Sequence, residues 1–464
     1  MASPLRQEYG SLFRLAVPVA TVNLLLMAMG LVDTAMVGFL DEGAGRALAA
    51  VGVGGLLFML VHHVGLGVLL ALDPLLSQAL GARDEPRFRL GLQRGFVLAA
   101  LWSLPSMALL VPAGTWLELL AQDADVIPGA RTYVLWSIPG LMPMLGFQVL
   151  RISLQSMHRL RPLLLMLVLA NLLNALLDWL LIYGRWGFPA LGIEGAALAS
   201  TLCRWFQFAC TMLFAWPLFR PYLRGSWRRA FAPGPLLRTV RLGLPLGGQI
   251  TAEFLAFASV MLFMGWIGED AQAAHQVTIN LAAFAFMLPL GLGMAASVRC
   301  GHAVGRGDAE GLRRSVQAAL GMSLLTMLAS MLCFLLVPQL LAALFTDDGE
   351  VLAVAVQLIV IAGLFQLGDG IQVVAAGCLR GMGDTHGPLL VNLLGFWLCG
   401  APCGLLLAFP ALRAGRLGWP LDDAGADPTG LWWGLAVGLF VVAAVLVLRI
   451  ALRLRRDVVR VSVD

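Results

Sequence analysis

Twelve stretches of about 20 mostly apolar residues follow one another along this 464-residue chain, more apolar length than a fold in water can hide. They run over residues 11–39, 47–75, 91–112, 130–152, 162–183, 192–217, 240–266, 273–300, 315–343, 351–378, 388–410 and 430–449. With 59% hydrophobic and 12% charged residues overall, the chain reads as an integral membrane protein. Lipid offers the backbone no hydrogen-bond partner, so a span must be a helix or part of a closed barrel. These runs lack the in-out alternation of barrel strands, which predicts an all-α protein of twelve transmembrane helices.

Charge gives the expected orientation. Every basic residue is an arginine, and of the 31, 25 fall in the N-terminus, the even-numbered loops or the C-terminal tail. Five fall in odd-numbered loops and one, Arg204, inside a span. Positive charge concentrates on the cytoplasmic side, so both termini are expected there, in a bacterial-type inner membrane. Acids such as Asp41, Glu42, Glu269, Asp270, Asp347, Asp348 and Glu350 crowd the outer loops. The clusters 224–229 (RGSWRR) and 453–456 (RLRR) are read as headgroup-facing anchors, and the net charge of +4 as a product of topology that calls for no nucleic acid. Seven cysteines, Cys203, Cys210, Cys300, Cys333, Cys378, Cys399 and Cys403, lie in or beside the apolar spans and are expected to be free packing thiols. The polar start runs straight into the first span, which reads as a retained helix and not a cleaved signal.

The sequence is doubled. LFRLAVP (12–18) returns as TVRLGLP (239–245), GLGVLLALDPLLSQALGARD (65–84) as PLGLGMAASVRCGHAVGRGD (289–308), and GFQVL (146–150) as GIQVV (370–374), at offsets of 227, 224 and 224 residues. Six helices per copy give both copies the same topology, the parallel-repeat plan of several transporters. The expected lobes are residues 1–222 and 223–464, joined by the arginine-rich stretch 220–241.

The chain contains no lysine, so a nucleotide P-loop and lysine-attached pyridoxal or retinal are excluded. His62 and His63 are adjacent, not one helical turn apart, and neither a H-E-x-x-H nor a G-x-S-x-G motif occurs. These histidines read as packing or pore-facing residues more readily than ligands. No enzyme chemistry and no cofactor is expected, which leaves an ion gradient as the energy source.

Against this background the acids inside spans stand out. A carboxylate at mid-membrane costs about 2.5 to 3.5 kcal/mol on insertion scales, so such groups face a bundle interior and mark ion or substrate pathways. Asp33, Asp178, Glu253 and Asp369 are of this kind, with Asp73 nearer an inner end. Pairing with Arg204, or a helix-end position, is the structural alternative. Asp33 and Asp178 lie at one level on outward-running helices. Asn174 shares a face with Asp178 one turn away, and Thr201 offers a hydroxyl from span 6. Such a set suits a hard cation such as Na⁺ or a shared proton, because like charges held together are relieved by either. Asn23 and Asn171 serve either this pocket or helix-to-helix hydrogen bonding. Glu253 and Asp369, the latter preceded by Gln366, form a second group whose depths differ by up to two turns, so their meeting is left open. The repeat maps Asp33 to Val260, Asp369 to Leu145 and Glu253 to Leu26. No acid is duplicated, which argues against a purely architectural role.

Over nearly its whole length the sequence resembles the MATE (multidrug and toxic compound extrusion) transporters, especially their NorM-like branch. The resemblance rests on VDTAMVG (32–38), ALAAVG (47–52), LDPLLSQALGARD (72–84), AAHQVTIN (273–280), FMLPLGLGMAASVRCGHAVG (286–305) and RGMGDTHGP (380–388). It implies two six-helix lobes in a V around a central cavity, and antiport of organic cations and other xenobiotics against Na⁺ or H⁺. Residue by residue, Asp33, Asn174, Asp178 and Thr201 match the family's first-lobe cation site, and Glu253 and Asp369 the acids of the second-lobe site. Some members place a tyrosine one turn before the latter aspartate, where this chain has Phe365. Met27, Met29, Met261, Met264, Phe284 and Phe286 are candidate walls for lipophilic substrates, with packing or lipid contact as the competing reading. Pro18 and Pro245, repeat partners, are candidate bending points or static kinks. The expected partners are small lipophilic or cationic compounds and membrane lipids, with the protein as a monomer. A lipid-linked saccharide flippase of related architecture is the alternative, for which a more cationic cavity is expected.

Overall fold

The computed structural model describes residues 4–40, 44–413, 425–456 and 459–462; Asp41 and Glu42 lie outside the described residues. The described residues are predominantly helical, and the long helices are, in order, α1 (Pro4–Gly38), α2 (Gly45–Gly81), α3 (Glu85–Leu110), α4 (Ile127–Ser156), α5 (Arg161–Tyr183) and α6 (Ile193–Leu223). The second series is α7 (Pro233–Ile267), α8 (Glu269–Arg306), α9 (Ala309–Leu336), α10 (Gly349–Gly381), α11 (His386–Ala408) and α12 (Pro428–Arg453). Ten of these are long and apolar enough by themselves to cross a membrane. An eleventh candidate is α3 with the short helix Ala113–Leu119, bent by 60°; the 31-residue α6, which carries Arg204 in its middle and is less apolar, completes the twelve long helices.

Helix ends repeat with the sequence. Asp84 caps α3 by accepting from the Arg87 amide at 3.1 Å, and Asp308, 224 residues on, caps α9 by accepting from the Gly311 amide at 2.7 Å. Each cap satisfies an amide that the first helical turn leaves unpaired. Just before the caps the backbone is left-handed in both copies, at Arg83 (φ 56°) and Gly307 (φ 70°). Glycine adopts this conformation freely, whereas Arg83 does so against its own Cβ.

The described residues form two compact units, one of Thr21–Gly247, the other of the residues up to Ala20 together with Gly248–Val461. Compactness thus cuts α1 and α7 in mid-helix, two residues beyond Pro18 and Pro245. A division by chain order at 222/223 falls instead at the very end of α6, just before the stretch that leads to α7.

In the second unit the start of α1 is tied down by Glu8, whose Oε1 accepts from Arg299 Nε at 2.9 Å and Ser315 Oγ at 2.7 Å, and whose Oε2 accepts from Arg299 Nη2. Such forked, charge-assisted pairs are the strong ones. Helices α8 and α10 approach backbone to backbone: a Cβ at Gly293 would stand 2.8 Å from the Val373 carbonyl oxygen, and one at Gly377 would run into the Gly293 carbonyl. Small residues permit this approach, and close packing is what holds helices together in lipid. Helix α11 widens to π-helical pairing over Leu393–Gly400. At the α10–α11 turn, Asp384 accepts from Arg449 at 2.7 and 3.0 Å and from Arg453 at 2.9 Å. Burial pushes the Asp384 carboxyl pKa up, but the two guanidiniums outweigh it and hold the group below its ordinary value. That stabilisation is present above the ordinary carboxylate range and is lost as pH falls through the lowered value.

All seven cysteines are free thiols, with Cys203, Cys300 and Cys378 buried. Large apolar side chains such as Leu213, Leu325 and Leu398 are exposed on the helices, as contact with lipid requires.

Candidate functional site

In the first unit α1, α5 and α6 bring a carboxylate pair together. Asp33 is buried in the C-terminal part of α1, where its Oδ1 accepts from Asn174 Nδ2 at 2.8 Å and its Oδ2 from Ser200 Oγ at 2.5 Å. Asp178, one turn after Asn174 on α5, is fully buried and stands within hydrogen-bond reach of Asp33. Both Asp178 carboxylate oxygens, and the amide oxygen of Asn174, have no donor among the described residues. Buried acceptors are rarely left in this way, because each unmade bond costs about 1 to 3 kcal/mol. Unpartnered oxygens beside two carboxylates fit a hard cation or a proton held between them.

Thr201 sits at the site's edge with its hydroxyl committed elsewhere, donating to the Trp136 carbonyl at 2.8 Å. Its neighbour Ser200 supplies the hydroxyl that reaches Asp33. Sequence could place both on α6, but not choose between residues about 100° apart around a helix whose rotation was unknown. The difference is measurable: Ser200→Ala should weaken coupling-cation binding by about ten-fold, the worth of one hydrogen bond to a charged group. Thr201→Ala should act less. The check is the cation concentration that half-saturates efflux, and equal values for wild type and Ser200→Ala would refute the assignment.

The two flanking asparagines do other work. Asn171 Nδ2 donates to the Leu25 and Leu167 carbonyls at 3.0 and 2.9 Å, and Asn23 accepts from Arg151. Both bonds tie helices to one another. Arg204 forms no ion pair with either acid; it lies over the Phe58 ring, 4.4 Å from its centroid.

The second unit holds the other acid pair. Glu253 on α7 accepts from Gln372 Nε2 at 2.8 Å and from Asn392 Nδ2 at 3.3 Å. Asp369 on α10 is buried within electrostatic reach of Glu253 and hydrogen-bond reach of Gln372, so the two acids do come together. Three amide oxygens, those of Gln366, Gln372 and Asn392, are buried on these helices without donors among the described residues. Gln372 and Asn392 carried no signal in the sequence beyond being amides in spans. Gln372, three residues after Asp369, was legible as a same-face neighbour had a partner on α7 been known. Phe365, one turn before Asp369, is buried in an aromatic cluster, with ring centroids 6.5 Å from Phe257 and 5.5 Å from Trp432.

Of the proposed substrate-facing residues, Phe284 is 64% exposed and Met264 fully buried, while Met27, Met29, Met261 and Phe286 are half-buried. Met29 Sδ accepts from Gln207 Nε2 at 3.3 Å.

Comparison with known proteins agrees with this architecture. The MatE family model matches residues 18–180 and again 245–406, two copies whose starts are 227 residues apart, the offset of the internal repeat. Curated relatives include a probable multidrug resistance protein NorM of Bradyrhizobium diazoefficiens, 36% identical over 97% of this chain and 95% of its own. A multidrug resistance protein NorM of Photobacterium profundum is 31% identical over 96% of this chain and 95% of its own. Among solved structures, a eukaryotic MATE transporter, AtDTX14, superposes with a TM-score of 0.82 at 24% identity, covering 97% of this chain and 96% of that one. The Vibrio cholerae MATE transporter VcmN in its bent form does so at 0.81 and 21% identity, covering 98% of each chain. With the doubled sequence, twelve helices and full-length relatives in agreement, this multi-pass membrane protein belongs to the MatE family.

Proposed function

We propose that this chain is a secondary active exporter that expels lipophilic organic cations in exchange for Na⁺ or H⁺ entering down its gradient. The observation that supports this most directly is the pair of buried acid clusters, each with buried side-chain oxygens that lack donors among the described residues. Full-length relatives named as multidrug resistance proteins support the substrate class. In this reading the protein resides in the inner membrane with both termini cytoplasmic, as the arginine distribution supports.

The chemistry required of the residues is modest. Asp33 and Asp178, and separately Glu253 and Asp369, hold negative charge where hydration is poor, so a cation that arrives there is bound strongly. An organic cation and a coupling cation satisfy the same carboxylates, and occupancy by one weakens the hold on the other. If each prefers a different conformation, the two fluxes become coupled by that differential binding. Asn174, Ser200, Gln372 and Asn392 keep the carboxylates oriented, and no covalent step is involved. A flippase for a pyrophosphate headgroup is disfavoured, since both clusters are acidic.

The test is ethidium efflux from proteoliposomes under separately imposed sodium and pH gradients. One gradient should accelerate efflux in wild type, and Glu253→Gln with Asp369→Asn should reduce that acceleration by about ten-fold or more, a typical coupling magnitude. Efflux in that double variant equal to wild type would remove the second cluster from the mechanism. Failure of both gradients to drive wild-type efflux would reject antiport.

A further inference from the structure

Arg204 is a buried charged group of the first unit that the transport reading leaves unused. It is buried on α6, and among the described residues its Nη1 has no acceptor and it forms no ion pair. Instead its guanidinium rests on the face of Phe58, an arrangement that compensates part of the desolvation of a buried cation. Its position is defined by close packing. A Cβ added to Gly140 would stand 2.9 Å from Arg204 Cδ, 3.0 Å from Nη1 and 3.2 Å from Thr201 Oγ1. The guanidinium therefore sits beside the turn of α6 that carries Ser200, the donor to Asp33. Arg204 follows Ser200 by four residues, one turn of α6, so the two side chains project from the same face of that helix and Ser200 stands between the guanidinium's turn and Asp33.

The charge count follows. Two carboxylates and one guanidinium in a region of poor hydration leave a net charge of minus one when both acids are ionised. A single Na⁺ or proton brings the region to neutrality, whereas a divalent cation overshoots it. Without the guanidinium, two carboxylates and an amide oxygen would form a donor set of the kind that binds Ca²⁺. We propose that Arg204 is a resident counter-charge that limits the Asp33–Asp178 pair to one monovalent cation and keeps divalent cations out. An arginine is suited to this because it does not lose its proton in proteins.

The inference rests on reading Asp33 and Asp178 as the coupling pair, and the experiment separates the two. Ethidium efflux from proteoliposomes is measured with and without millimolar Ca²⁺, for wild type, Arg204→Lys, Arg204→Gln and Arg204→Met. Binding of radioactive calcium to the purified proteins is measured alongside. Wild type and Arg204→Lys should be indifferent to Ca²⁺. Arg204→Gln and Arg204→Met should be inhibited at concentrations at least ten-fold lower than any that affect wild type. Each should also bind Ca²⁺, and adding Asp33→Asn should abolish that binding. A merely structural arginine would lower activity or yield without creating calcium sensitivity. Monodisperse Arg204→Gln or Arg204→Met protein with wild-type indifference to Ca²⁺ would overturn the proposal. Should Asp33→Asn alone leave efflux intact, the coupling role fails, and this inference with it.

Discussion

Replacing Asp33 by asparagine should bring gradient-driven ethidium efflux down by roughly 100-fold, near the upper end of what a coupling free energy between two ligands produces. The change is nearly isosteric, so the protein should still insert and purify. Indeed an uncharged amide at that depth of α1 is easier to place in a membrane than a carboxylate. What is lost is the charge. Asp33 accepts from Asn174 at 2.8 Å and Ser200 at 2.5 Å, so its carboxylate is held rigidly where Asp178 can share an occupant with it. An asparagine there must turn its own amide hydrogens toward one of those donors or toward Asp178, and a cation then meets one carboxylate in place of two. Efflux from proteoliposomes containing equal amounts of protein is the measurement. Activity within two- to three-fold of wild type would show that the site lies elsewhere.

A second large effect is structural. Gly377→Val should eliminate the monodisperse protein peak on size-exclusion chromatography, because the added atoms collide with the Gly293 backbone carbonyl and no rotamer avoids it. Overpacking against side chains costs typically 1 to 3 kcal/mol because they can yield; a backbone pressed against a backbone yields only if the helices separate. Separating α8 from α10 would also move Asp369 away from α7, so any protein recovered should have lost efflux. Gly52→Val on α2 is the matched control, since an added Cβ there meets nothing within 4 Å. Equal yields for the two variants would contradict the packing.

How much of this was legible beforehand differs by level. The twelve apolar runs coincide with the twelve helices because hydrocarbon thickness imposes a length that composition must obey. The repeat likewise surfaces in the paired caps of Asp84 and Asp308. Asp33, Asn174 and Asp178 could be grouped because two lie on one helix at a spacing of four and the third shares their depth. Ser200, Gln372 and Asn392 could not, since their relevance depends on how each helix is rotated about its axis, which near-uniform apolarity leaves unmarked. Arg204 shows the same limit from the other side. Counter-charge pairing was the simplest structural reading of an arginine among acids, yet Phe58 on α2 takes its guanidinium. Aromatic residues are too frequent in such a chain for one to announce itself as a cation's partner.

The π-helical stretch of α11 bears on what this region can tolerate. In an ordinary α-helix, residues five apart point well away from each other; where the hydrogen bonds run to the fifth residue they come nearly into line. Asn392, just before the stretch, reaches Glu253, and Trp397 within it donates to the adjacent Ala252 carbonyl at 3.1 Å. Deleting one residue between them would regularise the winding and swing one of the two contacts out of phase. Evolution can therefore trade side chains along this segment far more easily than it can change the number of residues in it.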